Sequence, residues 1–94
     1  MKRYGFMSGD CQLFAQDDTG RVFYVGKSQG KRAWMSSIGS GCLQRLQRTP
    51  ELDVFFDTIQ EALEYWPDHM CDGKKCSEYD WFEEELQAVM KELL

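Results

Sequence analysis

The sequence predicts an α+β fold in which an antiparallel β-meander of four to five strands packs against two to three helices, in the order ββββ-α-β-α-α. Two observations lead to this prediction. Short runs rich in aromatic and β-branched residues, separated by turn-forming residues, fill the first part of the chain. Apolar residues spaced three and four positions apart dominate the later part, as is typical of amphipathic helices. A length of 94 residues predicts a single domain, 1–94.

The clearest strand pair is a β-hairpin. Residues 11–16 and 21–26 are apolar-rich runs that flank a four-residue turn, Asp17 to Gly20, in which glycine can adopt a positive φ. An opening strand near 2–7 and a further strand near 32–37 would complete a four-stranded antiparallel meander.

A short helix over 40–48 and a fifth strand over 52–56 are expected next. Ser40 is a suitable N-cap for this helix, and Pro50 prevents it from continuing. The run 52–56 is strongly apolar and follows directly, which predicts one more strand.

Two longer helices complete the predicted fold. The first begins at Asp57 or Thr58, because Gln60 or Glu61 stands three positions later in the capping-box pattern, and Pro67 ends it. Its apolar stripe consists of Ile59, Ala62, Leu63 and Trp66. The last helix is expected to run from a cap at Ser77 to Leu94. Sheet and helices are predicted to pack through Trp34, Phe55, Ile59, Leu63, Phe82, Leu86 and Leu93.

Charge is divided unevenly along the chain. Residues 21–48 carry six basic side chains and no acidic one, whereas residues 49–94 carry three basic and thirteen acidic side chains. The net charge of −5 conceals this division. A basic stretch of sheet and turns therefore precedes an acidic, largely helical stretch, and the two predict a dipolar surface.

Six acidic side chains are predicted to face away from the apolar stripes of the two longer helices. Four belong to the middle helix and two to the last one. On rigid helices such carboxylates lie about 5–6 Å apart and can present a row of negative charge to a basic partner. The predicted contact residues are Asp57, Glu61, Glu64, Asp68, Asp80 and Glu84.

The chain carries no family motif, but small size, acidity and the lack of catalytic residues give it a resemblance of type. In these respects it resembles the inhibitors with which phages and mobile elements block nucleic-acid enzymes of the host, including anti-CRISPR and DNA-mimic proteins. That resemblance implies a non-catalytic inhibitor or adaptor that binds a protein partner with a basic surface, and implies no cofactor.

Nucleic-acid binding by the basic stretch 21–48 is the alternative. Lys27, Lys31 and Arg32 are interleaved with Phe23, Tyr24 and Trp34, an arrangement that can form a stacking platform for single strands. The net negative charge of the chain opposes phosphate binding, and alternating aromatic residues in strands are more often buried in a core. This alternative therefore ranks second.

Four cysteines are predicted to be reduced, because nothing in the sequence indicates export. A zinc-stabilised domain is the third hypothesis, with His69, Cys71 and Cys76 as ligands and Cys11 or Cys42 completing the set. A disulfide between Cys71 and Cys76 is a further alternative.

Enzymatic activity is not predicted. The segment Gly26-Lys27-Ser28 resembles the end of a phosphate-binding loop, but Arg21 replaces the required glycine. His69 is the only histidine and is expected to be exposed. No signal-peptide pattern and no run of about 18 apolar residues is present, so a cytoplasmic location without membrane insertion is expected.

Overall fold

The strand-forming runs of the first half pair into one antiparallel sheet, and the predicted α+β fold is confirmed. The computed structural model describes residues 3–36 and 52–94. The strands are β1 (Arg3–Phe6), β2 (Phe14–Gln16), β3 (Val22–Ser28), β4 (Lys31–Ser36) and β5 (Val54–Phe56). Two helices, α1 (Ile59–Tyr65) and α2 (Phe82–Leu93), follow the sheet. The predicted helix over 40–48 lies outside the described residues.

The strand order of the sheet is β4-β3-β2-β1-β5. The first four strands form the predicted meander, and β5 adds to the free side of β1 after a long connection. Between α1 and α2, a second and smaller hairpin pairs β6 (Met70–Cys71) with β7 (Lys74–Lys75). Among the described residues, no helix has the length and apolar character that a membrane span requires.

Strand register decides which side chains meet the helices. Tyr4 pairs with Phe56 and Phe6 with Val54, and Tyr4, Phe6 and Phe56 all pack in the cluster beneath the helices. The residue between them in each strand faces the opposite side of the sheet, since side chains alternate along a strand. The prediction of Phe55 as a core residue is therefore wrong. Its ring is 49% exposed, and the guanidinium of Arg3 lies 4.5 Å from the ring centroid.

The main core lies between the sheet and the helices. Trp66 and Phe6 are its largest fully buried side chains, and their ring centroids are 6.1 Å apart. The other members expected from sequence take part as well: Leu63 and Phe82 are buried, and Trp34, Ile59, Leu86 and Leu93 pack against the cluster while partly exposed. A smaller cluster of Phe14, Val22 and Leu52 is separate from it.

The N-terminus of α1 is capped as predicted. Thr58 has an extended backbone, and its side-chain oxygen accepts a hydrogen bond from the Glu61 backbone N–H at 3.2 Å. The Thr58 hydroxyl also donates to the Glu61 carboxylate at 3.0 Å. These bonds satisfy a donor that the first turn of a helix leaves unpaired.

The predicted cap of the last helix at Ser77 is wrong. Residues Cys76–Glu78 form a single 3₁₀ turn, and the extended backbone of Tyr79 separates this turn from α2. The helix begins at Phe82, after Trp81. The helix nevertheless has an apolar face directed into the core, on which Phe82 and Val89 are buried.

Gly5 permits the close approach of β1 and β5. A Cβ atom at this position would overlap the backbone carbonyl oxygen of Val54, which cannot move without breaking the strand pair. Gly26 is a useful contrast, because a Cβ there would meet only the flexible side chain of Met35.

We expect Gly5→Ala to lower the free energy of unfolding by about 3 kcal/mol, the upper part of the range for an overpacked interior. Gly26→Ala should cost clearly less, since a methionine side chain can adopt another rotamer. Urea denaturation followed by circular dichroism measures both. Equal losses in the two variants would contradict the role assigned to the β1–β5 contact.

Candidate functional site

The six carboxylates predicted to contact a partner, here called the acidic surface (Asp57, Glu61, Glu64, Asp68, Asp80 and Glu84), are all exposed. Glu61 and Glu64 lie on α1. Asp57 precedes this helix and Asp68 lies in the 3₁₀ turn that follows it. A spacing of three positions places Glu61 and Glu64 on one side of α1, and Asp57 and Asp68 flank this helix in the sequence.

The remaining two members lie near the start of α2. Glu84 belongs to its first turn, where the partial positive charge of the helix end favours an acid. Asp80 was predicted to lie on the helix, and this is wrong: Asp80 stands in the turn before Trp81. It remains exposed in that position.

Few internal contacts neutralise the acidic surface. Asp68 forms an ion pair with Lys75 at 3.7 Å, and both side chains are more than half exposed. Within residues 3–36 and 52–94, the structure shows no other ion pair for these six acids. Glu64 accepts only a long hydrogen bond of 3.5 Å from Gln60. An exposed pair such as Asp68–Lys75 contributes little to stability, so most of this negative charge is available to solvent or to a partner.

One residue of the basic stretch, Arg32, is neutralised by acids of α2 that do not belong to the acidic surface. The Arg32 guanidinium donates to the Glu85 carboxylate, with Nη2 and Oε2 2.8 Å apart, and the Arg32 backbone N–H donates to Glu92. The hydrogen bond that Arg32 donates to Glu85, together with the nearby acids of α2, raises the pKa of Arg32 above its ordinary value. These contacts attach α2 to the edge strand β4, and they use Glu85 and Glu92 instead of the acidic surface.

The proposed stacking platform is only partly present. Lys27 and Lys31 are exposed, whereas Arg32 is bound to α2. Trp34 is partly buried, and its ring centroid lies 6.0 Å from that of Tyr4. Arg45 and Arg48 lie outside the described residues.

Cys11 and Cys71 form a disulfide, which corrects the prediction of reduced thiols for these two residues and excludes the alternative of a Cys71–Cys76 bond, whereas Cys76 is a free thiol as predicted. Their Cα atoms are 5.5 Å apart, within the usual range for a disulfide. The bond connects the β1–β2 loop to the β6–β7 hairpin across 60 positions of sequence. No sequence pattern indicates this pairing, because it depends on how the hairpin folds back onto the sheet.

Cys76 and His69 are buried components of the core. The Cys76 side chain is fully inaccessible, and burial raises the pKa of its thiol above the ordinary value. His69 was expected to be exposed, but it is only 6% exposed. Its Nε2 lies 2.8 Å from the Asp10 carbonyl oxygen, and its ring stacks on Phe6 with centroids 4.7 Å apart.

The structure brings together only two of the predicted zinc ligands in its described part, Cys11 and Cys71. Among the described residues, the one group of three potential donor side chains consists of Cys11, Cys71 and Asp72, whose ligand atoms lie within 4.8 Å of one another. His69 and Cys76 do not belong to this group. Sequence reasoning missed Asp72 as a member of it, although its position beside Cys71 is visible in the sequence.

A cavity of about 520 Å³ opens beside the disulfide. Its walls include both half-cystines, the indole rings of Trp66 and Trp81, and the acids Asp10, Asp72 and Glu85. Trp66 is buried and donates from Nε1 to the Cys11 carbonyl oxygen at 3.1 Å, whereas Trp81 is 38% exposed and stacks on Tyr79. No local sequence pattern indicates this cavity, because its lining residues come from several segments that are far apart in the sequence.

We expect reduction of the Cys11–Cys71 bond to lower the free energy of unfolding by about 4 kcal/mol, because a closed loop of this length strongly restricts the unfolded chain. Urea denaturation with and without a dithiol reductant measures the loss. The variant Cys11→Ala should be insensitive to the reductant. Identical curves for the oxidised and reduced wild-type chain would contradict the assigned bond.

We also expect Cys76 to resist alkylation by iodoacetamide in the folded protein at neutral pH. Its raised pKa leaves little thiolate, which is the reacting form, and its side chain is buried. Peptide mass spectrometry of native and urea-treated samples gives the extent of labelling. Labelling should become complete in urea, and rapid labelling of Cys76 in the native state would be inconsistent with its position in the core.

Comparison with known proteins gives no match, since neither a protein-family model, a curated protein nor a solved structure matches this chain. The functional proposals below are therefore based on the residues and contacts described above.

Proposed function

We propose that this protein is a non-catalytic inhibitor or adaptor that binds a basic protein partner through its acidic surface. The observation that supports this most directly is the exposure of all six carboxylates. Of these six acids, only Asp68 forms an ion pair with another described residue, and that pair is exposed. The surface therefore keeps a negative charge that a cationic partner can neutralise.

The framework beneath this surface favours recognition without large rearrangement. Beneath Glu61 and Glu64, α1 is anchored by buried Ala62 and Leu63, and the next turn is anchored by Trp66. Acids three and four positions apart on a helix lie about 5–6 Å from one another. A partner consequently meets carboxylates at fixed spacing, and less side-chain and backbone entropy is lost on binding than with a mobile acidic tail.

The arginine of the sheet edge is paired with acids that do not belong to the acidic surface. Arg32 is bound by Glu85 and Glu92, which both lie on α2. Glu84, in the position before Glu85, is exposed. Different acids of α2 therefore pair with the sheet and face solvent, which supports the proposal that the exposed acids contact a partner.

The narrower proposal is that the partner is a nucleic-acid enzyme of a host, as in the phage and mobile-element inhibitors that the chain resembles in type. Double-stranded DNA presents closely spaced phosphate charges to a basic groove. Rows of carboxylates on helices carry charge of the same sign and can occupy such a groove. The chain would then compete directly with DNA for its partner, and the complex would weaken as salt rises.

We expect the triple variant Glu61→Lys, Glu64→Lys, Glu84→Lys to lose capture of the basic partner by about a hundredfold, since like charges then face each other across the interface. Wild-type and variant chains would be immobilised, exposed to extract of the source cells with and without duplex DNA, and compared by quantitative mass spectrometry. The partner should bind wild type, be displaced by DNA and be absent from the variant. The thermal midpoint should fall only modestly, because all three side chains are exposed and an acid in the first turn of a helix contributes about 0.3–1 kcal/mol.

A charge-matched comparison separates a specific contact from general attraction. The pairs Glu61→Lys, Glu64→Lys and Asp10→Lys, Asp18→Lys both raise the net charge from −5 to −1, since each reversal adds two units. Asp10 and Asp18 are exposed but lie in loops of the sheet. Only the first pair should reduce capture. Equal effects would reject the acidic surface, and salt-sensitive binding of a single-stranded oligonucleotide to the chain itself would favour the basic stretch 21–48 instead.

A further inference from the structure

The cysteine pair and its neighbouring acid form a compact group of donors. The Cys11 and Cys71 sulfurs and a carboxylate oxygen of Asp72 all lie within 4.8 Å of one another. They come from two segments that are 60 positions apart, so the fold and not a short sequence motif assembles them. Once the disulfide is reduced, this group contains two thiols and one carboxylate.

These donors suit a soft or borderline divalent cation. Zinc binds cysteine sulfur at about 2.3 Å and carboxylate oxygen at about 2.0–2.2 Å, with tetrahedral geometry. Ligand atoms around such an ion are therefore about 3.5–3.8 Å apart. The donor atoms already lie close enough to surround one ion, and the main movement required is separation of the two sulfurs after their bond is broken.

The cavity beside the group leaves room for a further ligand. Cys11, Cys71 and Asp72 all line this space of about 520 Å³, and Asp10 lines it as well. Among the described residues, neither Asp10 nor Asp72 has an ion pair, so the field in the cavity favours a cation. Three protein ligands with a water in the fourth position is the coordination pattern of an open zinc site.

The two other nearby ligand types are engaged elsewhere. His69 Nε2 contacts the Asp10 carbonyl oxygen, and its ring stacks on Phe6. The Cys76 thiol is buried, 4.0 Å from the Cys11 carbonyl oxygen. Asp72 is exposed and stands directly beside Cys71 at the tip of the hairpin.

We propose that Cys11, Cys71 and Asp72 form a redox-gated site for one divalent cation, with Zn²⁺ as the preferred ion. While Cys11 and Cys71 are bonded to each other, neither offers a thiolate and the site does not bind the ion. A dithiol reductant breaks the S–S bond, transfers two electrons and two protons to the cysteine sulfurs and itself becomes a disulfide. Zinc then binds the two thiolates and the carboxylate, and the two thiol protons are released to solvent.

The test uses Co²⁺ as a spectroscopic substitute for Zn²⁺, because thiolate ligation gives cobalt an intense visible absorption and a charge-transfer band. The full chain is reduced, freed of reductant without air and titrated with Co²⁺. We expect saturation at one ion per chain, displacement by Zn²⁺ and no such absorption from the oxidised chain. Absence of cobalt–thiolate absorption in the reduced chain would overturn the proposal.

Variants identify the ligands. Cys11→Ser and Cys71→Ser should abolish the charge-transfer band. Asp72→Asn should weaken Zn²⁺ binding by about tenfold or more, because loss of even a residue that only hydrogen-bonds to a metal ligand lowers metal affinity by that much. Cys42→Ser, Cys76→Ser and Asp18→Asn are the matched controls and should keep one ion per chain, since none of these residues belongs to the donor group. A band that survives Cys11→Ser but disappears with Cys42→Ser or Cys76→Ser would reject this ligand set.

Thermal denaturation keeps the test decisive if reduction destabilises the fold. Zinc should raise the melting temperature of the reduced wild-type chain and leave that of the oxidised chain unchanged, since only the reduced form binds the ion. Asp72→Asn should show a smaller increase. A reduced chain that remains unfolded when Zn²⁺ is added would contradict the proposal.

Discussion

The packing of Phe6 against the segment that follows α1 connects the two halves of the molecule. Its ring stacks on His69 and lies near Tyr65 and Trp66, so a residue of the second sheet strand from the edge fixes the position of the helix and of the turn after it. Trp66 in turn donates to the Cys11 carbonyl oxygen, and the Asp10 carbonyl oxygen contacts His69. The β1–β2 loop is thereby placed beside the hairpin, where the disulfide, the donor group and the cavity are formed.

The distribution of acids on α2 shows how one helix serves two purposes. Successive positions on a helix point about 100° apart, so neighbouring residues have different surroundings. Glu85 and Glu92 face β4 and bind Arg32, whereas Glu84 is exposed. Contact with the sheet edge also hinders that strand from pairing with another chain. One set of α2 acids therefore neutralises Arg32, and a different acid, Glu84, contributes negative charge to the surface.

Local signals predicted the strands and helices well, and long-range pairing accounts for what they missed. The turn at Asp17–Gly20, the Thr58 cap and the apolar stripe beneath α1 follow from neighbouring residues alone. Exposure of Phe55 depends on the register between β1 and β5, and burial of His69 depends on Phe6. The β6–β7 hairpin was not predicted, although Asp72-Gly73 is a typical hairpin turn and both residues adopt positive φ. Exposure of Glu61, Glu64 and Glu84 followed from helix phase, but the cysteine group required the tertiary fold.

The Cys11–Cys71 bond also determines how the polypeptide is connected. It closes a covalent ring that contains most strands of the sheet and α1, whereas α2 and β1 extend from the ring as open arms. A single peptide-bond cleavage within residues 12–70 would leave both fragments joined and would be invisible on a non-reducing gel. The same cut after reduction would release two pieces. Persistence of a nicked chain in a cell would thus depend on the surrounding thiol pool as much as on the protease.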